Sequence, residues 1–253
     1  FMQRKFIEKI YSHSGCEDDF PDVEYELEYI EKENTYSMRI QWGEETAKII
    51  MKDSGVFGGN FNNIIQNSVF KKLTKSLLLQ QLINKNKRFV EWSVFYTPEY
   101  FGIVPGIDPE YIESPEQVFE KVEKSLNRIK NKSDDNIYKN GWQTGIFKDQ
   151  SGNLLLFSKN VPVKIQGKYI GILSANININ DIGRYINKSK NYDIYITNSY
   201  NDMVYINGQK YKNVKKVKDY FSNNIISTIN SRNKGVNTGR YKDYYYLIDN
   251  IKN

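Results

Sequence analysis

His13 and Cys16 are the only histidine and the only cysteine in 253 residues, and they lie three positions apart in a polar stretch. Nucleophilic catalysis needs a base within hydrogen-bond reach of the nucleophile and a third group to hold that base. A single histidine in a polar, irregular stretch does not supply Ser-His-Asp or Cys-His chemistry. The same counts exclude a multi-histidine metal centre, a cysteine cluster and a disulfide within the chain. Thirty carboxylates remain, and any two could meet in space as a glycosidase pair, but no spacing singles out a pair. The acidic run from Glu17 to Glu33 lacks the calcium-loop spacing with its central Gly and final Glu. Gly55–Gly59 lacks the Gly-Lys-Ser/Thr ending of a phosphate loop and reads as a turn. The chain reads as a non-enzyme that needs no metal or cofactor.

Binding chemistry fits the residues better. A pocket needs aromatic and apolar walls with a few aimed polar groups. Phe89–Thr97 alternates as a strand, which sets Trp92, Val94 and Tyr96 on one face. Trp142 and Asp149 come from a later segment, and Phe157 and Lys159 share a face of the strand after it. The candidate ligand-binding set is therefore Trp92, Tyr96, Trp142, Asp149, Phe157 and Lys159. An Asp beside aromatic rings suits a cationic or hydrogen-bond-donating ligand. The same aromatics can equally be core, and Asp149 can equally be a turn residue before Gln150-Ser151-Gly152-Asn153.

Composition bounds the class. The chain is 39% hydrophobic, 14% aromatic and 26% charged, which builds a globular protein with a core. Its length allows one large domain or two small ones. The net charge is +6, yet the charge is segregated. Between Glu17 and Glu33 nine acidic residues face one base, Lys32. From Arg184 onward thirteen Lys and Arg stand against five Asp. No arginine stripe, finger spacing or RNA-binding aromatic motif accompanies this, so nucleic acid is not an expected partner. No apolar run approaches the roughly 20 residues of a membrane span, and no signal peptide is visible. The chain starts inside a helical pattern, as expected of a piece cut from a longer protein.

The elements that must position these residues follow from periodicity. Residues 1–12 read as a helix, with Met2, Phe6 and Ile10 in one row. Residues 13–35 read as an acidic loop, then a short helix over Val23–Ile30. Arg39–Met51 fits either strand or helix. Ile64–Asn84 reads as a helix with Ile65, Val69, Leu73, Ser76 and Leu77 on one face. Phe101–Pro105 is a strand. Ser114-Pro115-Glu116 opens a helix whose apolar face carries Val118, Val122 and Leu126. Leu154–Val163 and Tyr169–Ile177 form a hairpin across Gln166-Gly167-Lys168. Asn180–Ile186 is a short helix capped by Asn180. The last third repeats the outline on a smaller scale. Tyr192–Thr197 and Met203–Asn207 flank a loop, Val217–Ser231 is a helix, and Val236–Arg240 and Tyr244–Ile251 are strands.

Two stretches carry a resemblance. Val90–Pro105 (VEWSVFYTPEYFGIVP) is similar to the double Cache pattern, in which a strand with Trp or Tyr leads into an aromatic turn. Asn140–Ile182 follows it further: Trp142, Asp149, Gly152, Ser158, Val161-Pro162-Val163, Gly167-Lys168, Gly171, Asn176 to Asn178 and Asp181-Ile182. Together they cover about a quarter of the chain. Residues 1–12, the acidic 17–33, Phe57-Gly58 and Glu91-Trp92-Ser93 also resemble elements of hybrid sensor kinases of the capsule-regulating (Rcs) phosphorelay type. The chain departs from the amino-acid-sensing subset, because no Arg-x-Trp-Tyr stands anywhere; Asn140 and Gly141 precede Trp142. A free amino acid is therefore a disfavoured ligand.

The resemblance implies an α+β fold of two PAS-like antiparallel-sheet subdomains with an N-terminal helix along them. The implied division is 1–44 for a stalk helix and acidic linker, 45–186 for a membrane-distal subdomain, and 187–253 for a membrane-proximal one. It implies the periplasmic portion of an inner-membrane receptor, anchored by flanking spans, homodimeric, and sensing a small molecule or a periplasmic protein. Phe6 and Ile10 are then the candidate dimer and transmission positions. The implied output is a histidine kinase. A diguanylate cyclase, a chemoreceptor or a non-signalling secreted binding protein are the alternatives.

Overall fold

The computed structural model describes residues 4–5, 8, 23–53, 61–85, 90–106, 114–132, 141–148, 154–182, 193–198, 200–206, 209–210, 212–230, 236–241 and 244–249. Phe6, Ile10, Asp149 and the turns at 54–60 and 151–153 lie outside the described residues.

Nine strands form one antiparallel sheet. They are β1 (Glu24–Ile30), β2 (Thr35–Trp42), β3 (Glu45–Lys52), β4 (Val90–Tyr96), β5 (Tyr100–Val104), β6 (Trp142–Gln143), β7 (Phe147–Lys148), β8 (Leu155–Ile165) and β9 (Lys168–Asn178). The order is β1-β2-β3-β5-β4-β9-β8-β6, with β7 also on β8. The fold is thus mixed α and β around a large antiparallel sheet.

The expected helix over Val23–Ile30 is instead the edge strand β1. Its sequence EYELEYI alternates, and its exposure alternates with it: Glu24, Glu26 and Glu28 are exposed while Tyr25 and Leu27 turn toward the core. A period of two places every glutamate on one face, which a helix could not do. The ambiguous 39–51 stretch resolves as the hairpin β2–β3. The large sheet therefore begins at residue 24, ahead of residue 45.

Helices cover both faces. Ser68–Lys85 follows a one-turn-and-a-half helix, Phe61–Gln66, and the break between them is Asn67, whose side chain accepts the Val69 N–H at 2.8 Å. Phe70, Leu73 and Leu77 of the longer helix are fully buried against Met38, Ile40, Ile49, Phe95 and Leu173. Each such side chain contributes roughly 1.5–3 kcal/mol. On the other face lies Pro115–Lys132. Val118, Phe119, Val122 and Leu126 pack there on Ile50, Val94, Phe101, Ile103 and Ile172. The Ser114 hydroxyl donates to Glu33 at 3.0 Å and ties the start of this helix to the β1–β2 turn.

The central hairpin β8–β9 turns at Gln166-Gly167, both with positive φ (46° and 80°), where glycine removes the Cβ penalty at the second position. It ends in a one-turn helix, Ile179–Ile182, whose first free N–H, that of Asn180, is accepted by the Asn178 side chain at 3.0 Å. The cap is Asn178, two residues before the expected Asn180.

The C-terminal third differs from one small sheet. Among the described residues it holds two separate ladders, β10 (Tyr195–Thr197) with β11 (Met203–Ile206), and β12 (Val236–Tyr241) with β13 (Tyr244–Asp249). The open side of β11 is occupied by chain leading to Lys216, which bridges to Asp202 in place of a strand. The expected helix over Val217–Ser231 is a 3-10 turn, Val217–Asp219, then a helix, Asn223–Asn230. Arg4, Lys5 and Glu8 are helical, and Glu8 accepts the Lys164 N–H at 3.2 Å, which lays the N-terminal helix beside β8. Among the described residues no helix is long and apolar enough to cross a membrane.

Candidate functional site

Strand register places the sequence-derived candidates on two different faces. In an antiparallel ladder, directly opposed residues share a face. Trp142 opposes Asn160, Asn160 opposes Ser174, Ser174 opposes Val94, and Val94 opposes Ile103. A second row runs from Ser158 through Asn176 to Trp92. A third runs from Pro162 through Ile172 and Tyr96 to Phe101. All three rows lie on the face covered by the Pro115 helix, because Val94, Ile172, Phe101 and Ile103 pack against that helix.

Trp92, Tyr96 and Trp142 are thus brought together, half-buried around this one cluster, with Tyr169. Phe157 and Lys159 are one residue out of phase with Ser158 and Asn160 and point to the opposite face. Phe157 is buried there with Ile146, Leu155, Ile179 and Val204. Burial lowers the Lys159 ammonium pKa. They share a face with each other but not with the tryptophans, so the six expected residues do not form one site.

What lies between the tryptophans is polar. Ser158, Asn160, Ser174 and Asn176 are 7%, 8%, 2% and 4% exposed. The Ser158 hydroxyl donates to the Asn176 carboxamide oxygen at 2.5 Å. The backbone N–H of Ser158 donates to the Thr144 hydroxyl at 2.9 Å. Asn160 and Ser174 make no side-chain hydrogen bond among the described residues. This is a floor of neutral donors and acceptors with half-buried indole and phenol rings at its margin. The signal was present in the sequence. Ser158/Asn160 and Ser174/Asn176 are polar pairs two apart in otherwise apolar central strands, where a buried face ordinarily carries Val, Ile or Leu.

Trp142 reaches this floor because Gly141 precedes it. Gly141 has φ +66°, and a Cβ there would sit 2.0 Å from the Asn160 carbonyl oxygen. Only glycine permits that approach.

The same segment meets the C-terminal third. Asp202 is 1% exposed, and its carboxylate accepts the Ile146 N–H at 2.8 Å and the Asn198 amide at 3.1 Å. Lys216 Nζ forms an ion pair with its other oxygen. Burial works to raise the Asp202 pKa. Hydrogen bonds from Lys216, the Ile146 N–H and Asn198, with the lysine charge, outweigh it and hold the carboxyl below its ordinary value. Sequence reading placed Asp202 in a loop and missed this role, since its partners are 56 residues upstream and 14 downstream.

No family model, curated protein or solved structure matches the chain. The site therefore rests on its geometry. Among the described residues no group of three or more His, Cys, Asp or Glu could hold a metal ion.

Proposed function

We propose that this chain is the sensing portion of a bacterial transmembrane receptor, a tandem PAS-like unit of the double Cache kind lying outside the cytoplasm. The observation that carries the reading is the neutral polar floor between Trp92 and Trp142, together with its connection to the C-terminal third. Trp142 and Ile146 belong to one short segment, and Asp202 grips that segment from the other part of the chain. A ligand that moves Trp142 pulls on the same five residues that Asp202 holds. A sensor shifts an output only through unequal affinity for two states, and this shared segment gives two such states a physical basis.

In this reading the N-terminal helix, which lies beside β8, pairs with a second copy through Phe6 and Ile10. It passes the change across the membrane to a kinase. Replacing Phe6 and Ile10 by glutamate in the full-length receptor is expected to reduce dimer cross-linking and signal output. Wild-type cross-linking with wild-type output rules out that helix as the transmitting element. A cyclase or chemoreceptor output fits the same sensing unit, and the full-length sequence discriminates them. A secreted binding protein is the reading to adopt if that sequence carries no flanking spans.

A further inference from the structure

We propose that Asn160 and Ser174 form a subsite for an uncharged ligand with an amide-type edge, one N–H donor beside one C=O acceptor, whose flat body lies against Trp92 and Trp142. The proposal rests on the sensing role above and narrows its ligand class.

The two side chains oppose each other in the β8–β9 ladder and share one face. Both are more than nine-tenths buried, and neither has a side-chain partner among the described residues. The next pair along the ladder, Ser158 and Asn176, has the same chemistry but satisfies itself with a hydrogen bond. Identical residue types one rung apart are thus paired in one case and open in the other. Buried carboxamides are rarely left open in folded proteins. The open pair is a standing cost that a bound partner removes. A carboxamide offers one acceptor oxygen and a donor NH2 in one plane. An amide edge matches both at once, and the Ser174 hydroxyl, which can donate or accept, completes the match.

Charge selects against ionic ligands. Along the row through Asn160 and Ser174, the side chains toward the sheet centre are Val94 and Ile103, and the first ionisable one is Lys48 on β3. It stands three strands beyond Ser174, on the order of 14 Å at about 4.8 Å per strand. Lys159 points to the other face. Glu91 sits in the β4 bulge at the end of the sheet, where the Asn178 amide donates to it at 3.4 Å. A buried ion on this floor would lack a counter-charge, which is far costlier than burying a neutral amide. Indole faces at the margin favour a planar body.

The test uses the purified chain and a matched set of probes: nicotinamide, its anionic counterpart nicotinate, its cationic counterpart 1-methylnicotinamide, and the cyclic amide 2-pyridone. Calorimetry and thermal shift are expected to detect nicotinamide or 2-pyridone, with both ions at least tenfold weaker. The double variant Asn160→Leu/Ser174→Ala is expected to lose this response while melting, without probe, no lower than the wild type. Equal binding of either ion overturns the proposal, as does silence from both neutral amides. A probe response retained by the variant also overturns it. A lowered melting temperature of the free variant assigns the pair to structure instead. None of these outcomes depends on signalling, so the sensor reading stands or falls separately on the full-length receptor.

Discussion

The carboxylate of Asp202 accepts the backbone N–H of Ile146 at 2.8 Å, across 56 residues of chain, from a position 1% exposed. Few contacts between the nine-stranded sheet and the C-terminal third are so well defined. Asn198 reinforces it in both directions: its amide donates to the Asp202 carboxylate, and its oxygen accepts the Asp202 N–H at 2.9 Å. Asp202→Ala leaves the Ile146 N–H without its acceptor and Lys216 without its partner. The expected loss is about 2–3 kcal/mol in urea unfolding, with faster amide exchange at Ile146. An unaltered Ile146 exchange rate would show that the hydrogen bond does not hold the segment.

The same carboxyl predicts an acid limb. Its folded pKa lies below the ordinary aspartate value, so it stabilises the fold while ionised. That contribution is complete above the unfolded pKa, near 3.9, and is lost as pH falls through the lower folded value. Asp202→Asn should therefore lose stability at neutral pH and show a shallower decline below about pH 4. Parallel stability-versus-pH curves for the two proteins would assign the acid limb to other carboxyls.

Gly141→Ala tests how Trp142 is held over Asn160. The new methyl group must occupy space 2.0 Å from a backbone oxygen, at a φ of +66°. The left-handed backbone alone costs about 1–2 kcal/mol, and the clash adds to it. The expected result is a destabilised protein with a red-shifted tryptophan emission in a background where Trp42 and Trp92 are phenylalanine. An emission maximum that does not move would mean that Trp142 keeps its place without the glycine.

Lys159→Met separates the two faces of β8. Burial disfavours the lysine charge, so its removal should leave the melting temperature equal or slightly raised. Because Lys159 points away from Trp92 and Trp142, binding of nicotinamide should be unaffected. A weakened nicotinamide response would put Lys159 within reach of the floor and contradict the register.

Much of this was legible before the structure. Trp92, Val94 and Tyr96 could be assigned to one face because strand periodicity is strict, and the Gln166-Gly167 turn because its residues match its geometry. The Pro115 helix was marked by its first turn and by Val118, Val122 and Leu126. Two features hid from sequence. The acidic character of Glu24–Glu28 drew attention from its alternation, although the spacing of Tyr25 and Leu27 was already that of a strand. Which face of β8 meets Trp142 depends on register between segments 18 residues apart, and local pattern does not encode it. Asp202 likewise has no local signature, since a loop aspartate looks the same whether it meets water or a distant N–H.

Edge strand β1 sets a rule for assembly. Its outer backbone groups offer a template on which another copy could continue the sheet. Laid antiparallel about Glu26, a second β1 would oppose Glu26 to Glu26 and Glu24 to Glu28, all on one exposed face. Like charges in register repel, and a parallel alignment stacks the same glutamates. The chain thus closes its own sheet by electrostatic veto, and copies of it must meet through some surface other than that border.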